Sequence, residues 1–539
     1  MSEDLKPVLI AGAGPTGMMA AIELSRFNIP VRLIEKKAEP ETTSRAIGVQ
    51  ARTLELLEQR GLGASLVKLG NPGLAFSLYG DGKRIWRLEY ERISSKYNYL
   101  LFVSQAETEN LLREALDKAG VTIERNLTFI ALGQADRDTK LTAILQRTDS
   151  SLEQFECSYL IDAEGAHSTA RGTVGVHFEG KTHVEDYALG DLHIDGDLVE
   201  TDFHIFSSDH GFMSMFPMGG RRFRVMADNP ISQQSRAKGP SLEELQQIYD
   251  QRSHIPARLR DMSWSSWFRI NSRMVNRLQV GRVFLGGDSA HIHSPAGAQG
   301  MNTGMQDMIN LCWKLAMVLK GQAKPELLET YSKERIPIIQ MVLKKTEATN
   351  DAIASKSKLF RSAFNHIAPW LVEMENVQYN AAEHMSQLAL NYRESLVSVP
   401  GGNSGELQAG DRLPDLPVTL LHSEGSSDTR PRPATIFSLL NPSFFTLLYC
   451  NIADPAKTHS EVESAIGPWH HMMRGQLIAS NPGHDKFKKY FGSSPSIVLV
   501  RPDGYAALTG SDNSIGKLAK FCDTWLVPQT SSGKVEKAA

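Results

Sequence analysis

The sequence predicts an α/β protein: a parallel-sheet domain whose chain leaves to build a β-rich insert, returns, and then enters a further C-terminal domain. Three observations predict it. Residues 8–17 (VLIAGAGPTG), 160–171 (LIDAEGAHSTAR) and 281–302 (GRVFLGGDSAHIHSPAGAQGMN) are strand-then-glycine segments lying far apart in the chain. Between the second and third, residues 182–280 hold the strand-like stretches YALGDLHIDG, DFHIFSS, GFMSMFPMG and RRFRVMAD. After a helical stretch from about Glu326 to Leu396, residues 397–414 (VSVPGGNSGELQAGDRLP) are dense in Gly, Ser and Pro and mark a domain entry. A chain of 539 residues exceeds one ordinary core, and 41% hydrophobic with 22% charged residues is a globular composition.

The first segment carries the clearest chemistry. A short apolar strand, Pro7 to Ala11, runs directly into Gly12-x-Gly14-x-x-Gly17. A helix from Pro15 to about Arg26 follows, with Met18, Ala21, Ile22 and Ser25 at helical spacing, and a second strand, Val31 to Ile34, ends at Glu35. This is the Rossmann-like β–α–β context that gives a glycine fingerprint meaning. Gly12 permits a tight turn, Gly14 lets backbone approach a phosphate, and Gly17 allows close helix–strand packing. The helix start offers unpaired N–H groups and a positive dipole end to a pyrophosphate. Glu35 suits the two hydroxyls of a ribose and disfavours a 2′-phosphate, so FAD or NAD fits here. The candidate contacts are Gly12, Ala13, Gly14, Pro15, Thr16, Gly17, Glu35 and Lys36.

The third segment favours FAD. Val280 to Leu285 reads as a strand ending at Gly286-Gly287-Asp288, and an acid there can bind a ribityl hydroxyl, which NAD lacks. His291 to Gly300 is a Pro- and Gly-rich loop. A long helix starts at Met301 or Asn302, with Met308, Leu311, Cys312, Leu315 and Leu319 forming one apolar stripe. Its first N–H groups are suited to the N1/C2 carbonyl edge of a flavin, where negative charge collects on reduction. Gly287, Asp288, Pro295, Gly297, Gly300, Met301 and Asn302 are the candidates here.

Bulk properties narrow the function classes. A net charge of −3 without a long Lys/Arg block argues against nucleic acid. Cys157, Cys312, Cys450 and Cys522 are scattered, with neither a CxxC pair nor zinc-ligand spacing, which points to a reduced, cytoplasmic chain. The start MSEDLKPVLIAG is acidic and runs into a strand, unlike a signal peptide. The apolar helix around 308–319 is broken by Lys314 and too short to span a bilayer, so no membrane association is expected.

In order and spacing the three segments resemble the single-component FAD-dependent aromatic hydroxylases, the class A flavoprotein monooxygenases of phenol hydroxylase and para-hydroxybenzoate hydroxylase type. GGDSAH…P.GAQGMN is similar to that family's second FAD motif. Residues 160–171 resemble its third, with Glu164 where Asp is usual and Asp162 where Gly is common; Ala163, Glu164 and Gly165 are the candidates there. Ser44-Arg45-Ala46 and Gln50 to Glu55 resemble the stretch along the ribityl chain and ring. Arg45 is the cofactor candidate in it, and Arg52 is either a contact or a helix-start charge. Gln105 matches a family glutamine that contacts the cofactor.

The resemblance implies the rest. NAD(P)H, as NADPH or NADH, reduces the flavin without a dinucleotide domain of its own, in keeping with the single GxGxxG of this chain. Reaction with O2 then gives a C4a-hydroperoxyflavin that hydroxylates a small aromatic, phenolic substrate. Some relatives carry an acid where this chain has Ile47, so the catalytic base is unassigned. The insert would cover the flavin, and alternation puts His204 with Phe206, and Met213 with Met215 and Pro217, on shared faces as candidate pocket walls. The last domain, with RPDGY at 501–505, resembles the thioredoxin-like domain of phenol-hydroxylase-type members. Lacking a CxxC, it would be structural, stabilising the fold or a homodimer.

The expected organisation is a FAD-binding domain over 1–181 and 276–396, a β-rich substrate insert at 182–275 and a linker at 397–412. A thioredoxin-like domain at 413–527 and a disordered tail at 528–539 complete it. The alternatives are an FAD-dependent oxidase, dehydrogenase or Baeyer–Villiger-type oxygenase on the same fold, and a flavin-bound scaffold.

Overall fold

The computed structural model describes all residues except 1–4, 41–45, 134–139, 230–238, 294–296, 354–374, 403–404, 424–429, 453, 482–484 and 530–539. The expected tail therefore lies almost wholly outside the described residues. Among those described, no helix is long and apolar enough to cross a membrane.

The first domain is organised by a six-stranded sheet in the order Gln279–Val280, Val283–Leu285, Leu160–Asp162, Val8–Ala11, Val31–Glu35 and Ile123–Arg125. All neighbours run parallel except the first pair. Burial on both faces explains why these strands read as short, continuous apolar runs. Ala11 is registered opposite Asp162, and Asp162 opposite Leu285. The three glycine segments, separated by well over a hundred residues of chain, therefore leave the sheet side by side from one row. Helices Pro15–Arg26 and Gly300–Leu319 pack against each other on this sheet, and both are largely buried. Arg60 clamps Glu23 of the first helix through two bonds of 2.8 and 2.7 Å, so the charges buried there are paired.

The second sheet has eight strands: His291–Ile292, Ala257–Met274, Glu179–Gly196, Arg222–Asn229, Gly211–Gly219, Asp202–Ser208, Ala75–Gly80 and Lys83–Glu89. The insert alone does not make it. The hairpin Ala75–Gly80/Lys83–Glu89, from within the segment 1–181, completes one edge through parallel pairing of Ala75–Gly80 with Asp202–Ser207. Helix Leu242–Ser253 covers one face of this sheet, with Ser241 and Glu244 forming a reciprocal capping box at its start.

The C-terminal region forms a seven-stranded mixed sheet ordered Val399–Gly401, Ala506–Ser511, Ser496–Val500, Phe445–Cys450, Met473–Ser480, Pro417–Ser423 and Arg432–Thr435. The segment expected as a linker, 397–412, thus supplies an edge strand, Val399–Gly401, paired parallel with Ala506–Ser511. Its Gly and Pro suit a sheet edge as well as they suit a loop.

Leu245 is fully buried between the covering helix and the second sheet. Leu245→Ala is expected to lower stability by about 2–5 kcal/mol, read from the urea midpoint at unchanged slope.

Candidate functional site

A cavity of about 740 Å³ opens between the carboxyl edge of the six-stranded sheet and one face of the eight-stranded sheet. The adjacent loops of the registered row supply one side of it. Gly12, Ala13, Gly14, Pro15 and Thr16 line it from the first segment, Ala163, Glu164 and Gly165 from the second, and Asp288, Gly300 and Met301 from the third. Glu35, Lys36 and Gln105 also face it. The other candidates act from behind the wall or fall outside the described residues, as Arg45 and Pro295 do.

Gly12 has φ +101°, and a Cβ there would sit 2.3 Å from the Ala163 carbonyl oxygen; at Gly17 it would sit 1.8 Å from the Gly12 oxygen. Both positions exclude any side chain. Gly14 differs: its φ is −75° and a Cβ would meet nothing, because it would point into open space. Gly287 (φ +59°) packs onto Thr16 and its N–H donates to Asp307 at 3.1 Å. Asn302, fully buried, accepts the Gln50 N–H at 2.9 Å and donates to the carbonyls of Gly48 and Ala298. Gly297 accepts from the Gln50 amide at 2.6 Å. These residues shape the loop on which the lining residues sit.

Two helices start at the cavity, after Gly14 and after Gln299, and neither has a side-chain cap or an acid in its first turn. Their leading N–H groups face the space with their dipoles aligned, which fits a pyrophosphate at one and an electron-rich carbonyl edge at the other. Glu35 accepts the Ala13 N–H at 2.9 Å and the Lys37 N–H at 3.0 Å, tying the glycine loop to the end of the second strand. Arg125, registered opposite Glu35, and Phe129 extend the lining beyond it.

The middle segment departs from the family pattern in a way the structure explains. The extra methylene of Glu164 carries its carboxylate to the start of helix Thr169–Thr173, where it accepts the N–H groups of Ala170 (2.9 Å) and Thr169 (3.1 Å). Asp162 is fully buried beneath it, accepting the Ser168 hydroxyl at 2.6 Å and the Glu164 N–H at 3.1 Å. Burial and then the nearby Glu164 charge raise the Asp162 carboxyl to about 7. Burial raises Glu164 as well.

The residues expected as pocket walls do not line this cavity. His204, Phe206, Met213 and Met215 belong to the core between the eight-stranded sheet and helix Leu242–Ser253, and Pro217 lies on the same strand face as Met213 and Met215. His204 is fully buried, bonded through Nε2 to the Val199 carbonyl at 2.8 Å, and burial lowers its pKa. The cavity is walled instead by Leu189, Phe216, Arg224, Met226, Phe268 and Asn271. Alternation shows which residues share a face but not which face meets the ligand, and both faces here are apolar. Arg52 also lies away from the cavity, fully buried against Glu55, Tyr505 and the Asp503 carbonyl.

A second cavity, of about 480 Å³, is lined by Ile47, Phe102, Val103, Met218, Arg224 and Trp264 among others, and shares Ile47 and Arg224 with the first. Arg224 is bound by both oxygens of Asp191, at 2.6 and 2.7 Å. Among the described residues no cluster suited to a metal ion occurs.

Gly12→Ala should lower the melting temperature even without cofactor, whereas Gly14→Ala should leave the cofactor-free protein unchanged and weaken FAD binding, both read by melting and equilibrium dialysis. For Asp162, the folded pKa lies above the unfolded one, so between about pH 4 and pH 7 the folded state holds a proton that the unfolded chain has released. Its contribution to stability therefore falls as pH rises through that window. Asp162→Asn should remove this slope, of about 1.4 kcal/mol per pH unit, and gain stability relative to the parent at pH 8 in urea titrations.

Comparison with known proteins agrees with this architecture. The family model described as "FAD binding domain" matches residues 6–346. The 6-methylpretetramide 4-monooxygenase of Streptomyces rimosus is 31% identical, over 97% of this chain and 94% of its own length. Pentachlorophenol 4-monooxygenase of Sphingobium chlorophenolicum is also 31% identical, over 76% and 75% respectively. The solved structure of the anhydrotetracycline hydroxylase OxyS from Streptomyces rimosus superposes with a TM-score of 0.75 at 27% identity, covering 97% of this chain and 100% of that one. A glycine-walled cavity with two uncapped helix starts, on a chain matched along nearly its whole length by such enzymes, makes this protein a member of the FAD-dependent aromatic hydroxylases, the class A flavoprotein monooxygenases.

Proposed function

We propose that this monooxygenase hydroxylates a phenolic ring of a multi-ring substrate, with NAD(P)H as reductant and O2 as oxygen source. One oxygen atom enters the ring and the other leaves as water. The observation that carries the substrate size is the second cavity, which shares Ile47 and Arg224 with the first in its lining and offers room for rings beyond the one that reacts. Relatives named for 6-methylpretetramide, anhydrotetracycline and rifampicin support the same reading.

FAD supplies the oxygen activation when bound, and the chain's own residues hold it and keep the site dry. Gly12 to Gly17 and the helix start at Pro15 would take the pyrophosphate, Glu35 and Lys36 the adenosine end, and Asp288 with Gln105 the ribityl chain. The helix start at Gly300–Met301 would face the ring. Leu189, Phe216, Met226 and Phe268 form an apolar wall that would orient an aromatic ligand and exclude water. Ile47 brings no proton acceptor to the lining that the two cavities share, so a substrate that is already acidic suits this pocket.

The C-terminal sheet, with helices Pro455–Ile466 and Ile515–Trp525, is inferred to be a thioredoxin-like domain without redox function, because Cys450 and Cys522 are separate buried thiols. Burial raises both to about 12, away from thiolate chemistry. Four buried free thiols also suit a reducing, cytoplasmic setting.

The test is NADPH and NADH oxidation by the flavin-loaded protein with single-ring and multi-ring phenols, with product mass and peroxide yield recorded. A multi-ring phenol should accelerate NAD(P)H consumption and gain one oxygen. Flavin cycling to peroxide with no oxygenated product from the whole panel would overturn the reading. Phe216→Ala should raise KM and the peroxide fraction by roughly tenfold, since a lost aromatic contact of about 1.4 kcal/mol corresponds to that factor.

A further inference from the structure

A run of buried charges crosses from the C-terminal region to the back of the loop that carries Asp288. Arg501, fully buried, donates to both oxygens of Glu334, at 2.7 and 2.9 Å, and to both oxygens of Asp503, at 3.0 and 2.5 Å. Asp503 also accepts the Trp313 indole N–H at 3.2 Å. Glu334 takes three further donors: Lys314 at 2.8 Å, Asn310 at 2.6 Å and Ser395 at 2.6 Å. Trp313, Lys314 and Asn310 all lie on helix Gly300–Leu319, whose first residues face the cavity.

The next residue along helix Glu329–Ile353, Arg335, meets helix Gly300–Leu319 nearer its start. It donates to Asp307 at 2.7 Å, to the Thr303 carbonyl at 3.2 Å and to the Tyr392 hydroxyl at 3.1 Å. Tyr392 in turn packs on Tyr505, ring centres 4.4 Å apart. Asp307 holds the Gly287 N–H at 3.1 Å and His291 at 2.7 Å, one on each side of Asp288. A second route runs from the Asp503 carbonyl and the Tyr505 hydroxyl to Arg52, near Gln50, whose N–H binds Asn302 and whose amide binds the Gly297 carbonyl. Both routes begin in residues 501–505 and end at the walls of the cofactor cavity.

We propose that Arg501 is a positioning residue for the FAD site: through Glu334 and Arg335 it fixes Asp307, and with it the Gly287–His291 loop. This gives the C-terminal region a role in cofactor retention and coupling without contact to the cofactor. A buried carboxylate whose bidentate partner is removed must move or be resolvated, and Glu334 shares its helix turn with Arg335. Small displacements there reach the loop through bonds that are all buried. The inference rests on the placement of FAD along that loop.

The test uses the full chain. Arg501→Lys keeps the charge and loses the fork. It should weaken FAD binding about five- to tenfold and raise the peroxide fraction. Phe487→Leu, in the C-terminal region's own core against Phe491, is the control for destabilisation of that region alone and should leave FAD affinity within about twofold. In a double-mutant cycle, adding Arg335→Lys to Arg501→Lys should weaken FAD binding no further than the larger single effect. Effects that multiply, or an Arg501→Lys protein that binds FAD like Phe487→Leu, would overturn the proposal. If Arg501→Lys does not accumulate folded, Trp313→Phe, which removes the indole donor to Asp503 along with part of the ring packed near Arg501 and Phe445, takes its place: weakened FAD binding supports the proposal, and binding like that of Phe487→Leu overturns it. Asp288→Ala reports separately on the underlying placement: unchanged FAD affinity there would sink the placement itself.

Discussion

The parallel register Ala11–Asp162–Leu285 holds the whole site together. Each of the three glycine segments is a short loop with no fixed direction of its own. Pairing their parent strands in one row aims all three at the same side of the sheet, where the C-terminal ends of parallel strands open onto ligand. The close approach of Gly12, Gly17 and Ala163 then leaves no room for a side chain at either glycine, so the loops stack against one another. A shift of one residue in the strand 160–162 would point Asp162 elsewhere and separate the loops.

The eight-stranded sheet completes the cavity and is itself a composite. Its two faces serve different partners: helix Leu242–Ser253 seals one, and the cofactor cavity meets the other. The hairpin from 75–89 extends it away from the insert, so this wall of the cavity is tied to the segment 1–181 by backbone hydrogen bonds as well as by packing. Flavin oxygenation needs a dry enclosure, and a wall shared between two chain segments is stiffer than a flap.

Charge stands in two layers. Glu35, Arg125, Glu164, Arg224 and Asp288 are among the residues that line the cavity, while Glu334, Arg335, Asp307 and Arg501 form fully buried pairs one layer back. Opposing charge holds the Glu334 and Asp307 carboxyls below their ordinary range despite burial. Such pairs add little net stability, but they permit few arrangements, which suits a layer that sets the position of loops.

The β–α–β unit, the strand before Asp288 and the helix after it are legible in the amino-acid order, as are Gly12 to Thr16, Glu35, Gln105 and Asp288 among the cofactor candidates that line the cavity. Those features are local: glycine sterics, helix starts and apolar strand ends act over a few residues. Which face of the second sheet borders the cavity is settled by tertiary packing, because Met213 and Phe216 are both apolar and only the helix packed behind one face tells them apart. Packing also settles that residues 75–89 join that sheet, that Arg52 serves the contact with the C-terminal region, and that Glu164 caps a helix. Each depends on partners distant in the chain, and neither propensity nor spacing encodes a long-range pairing.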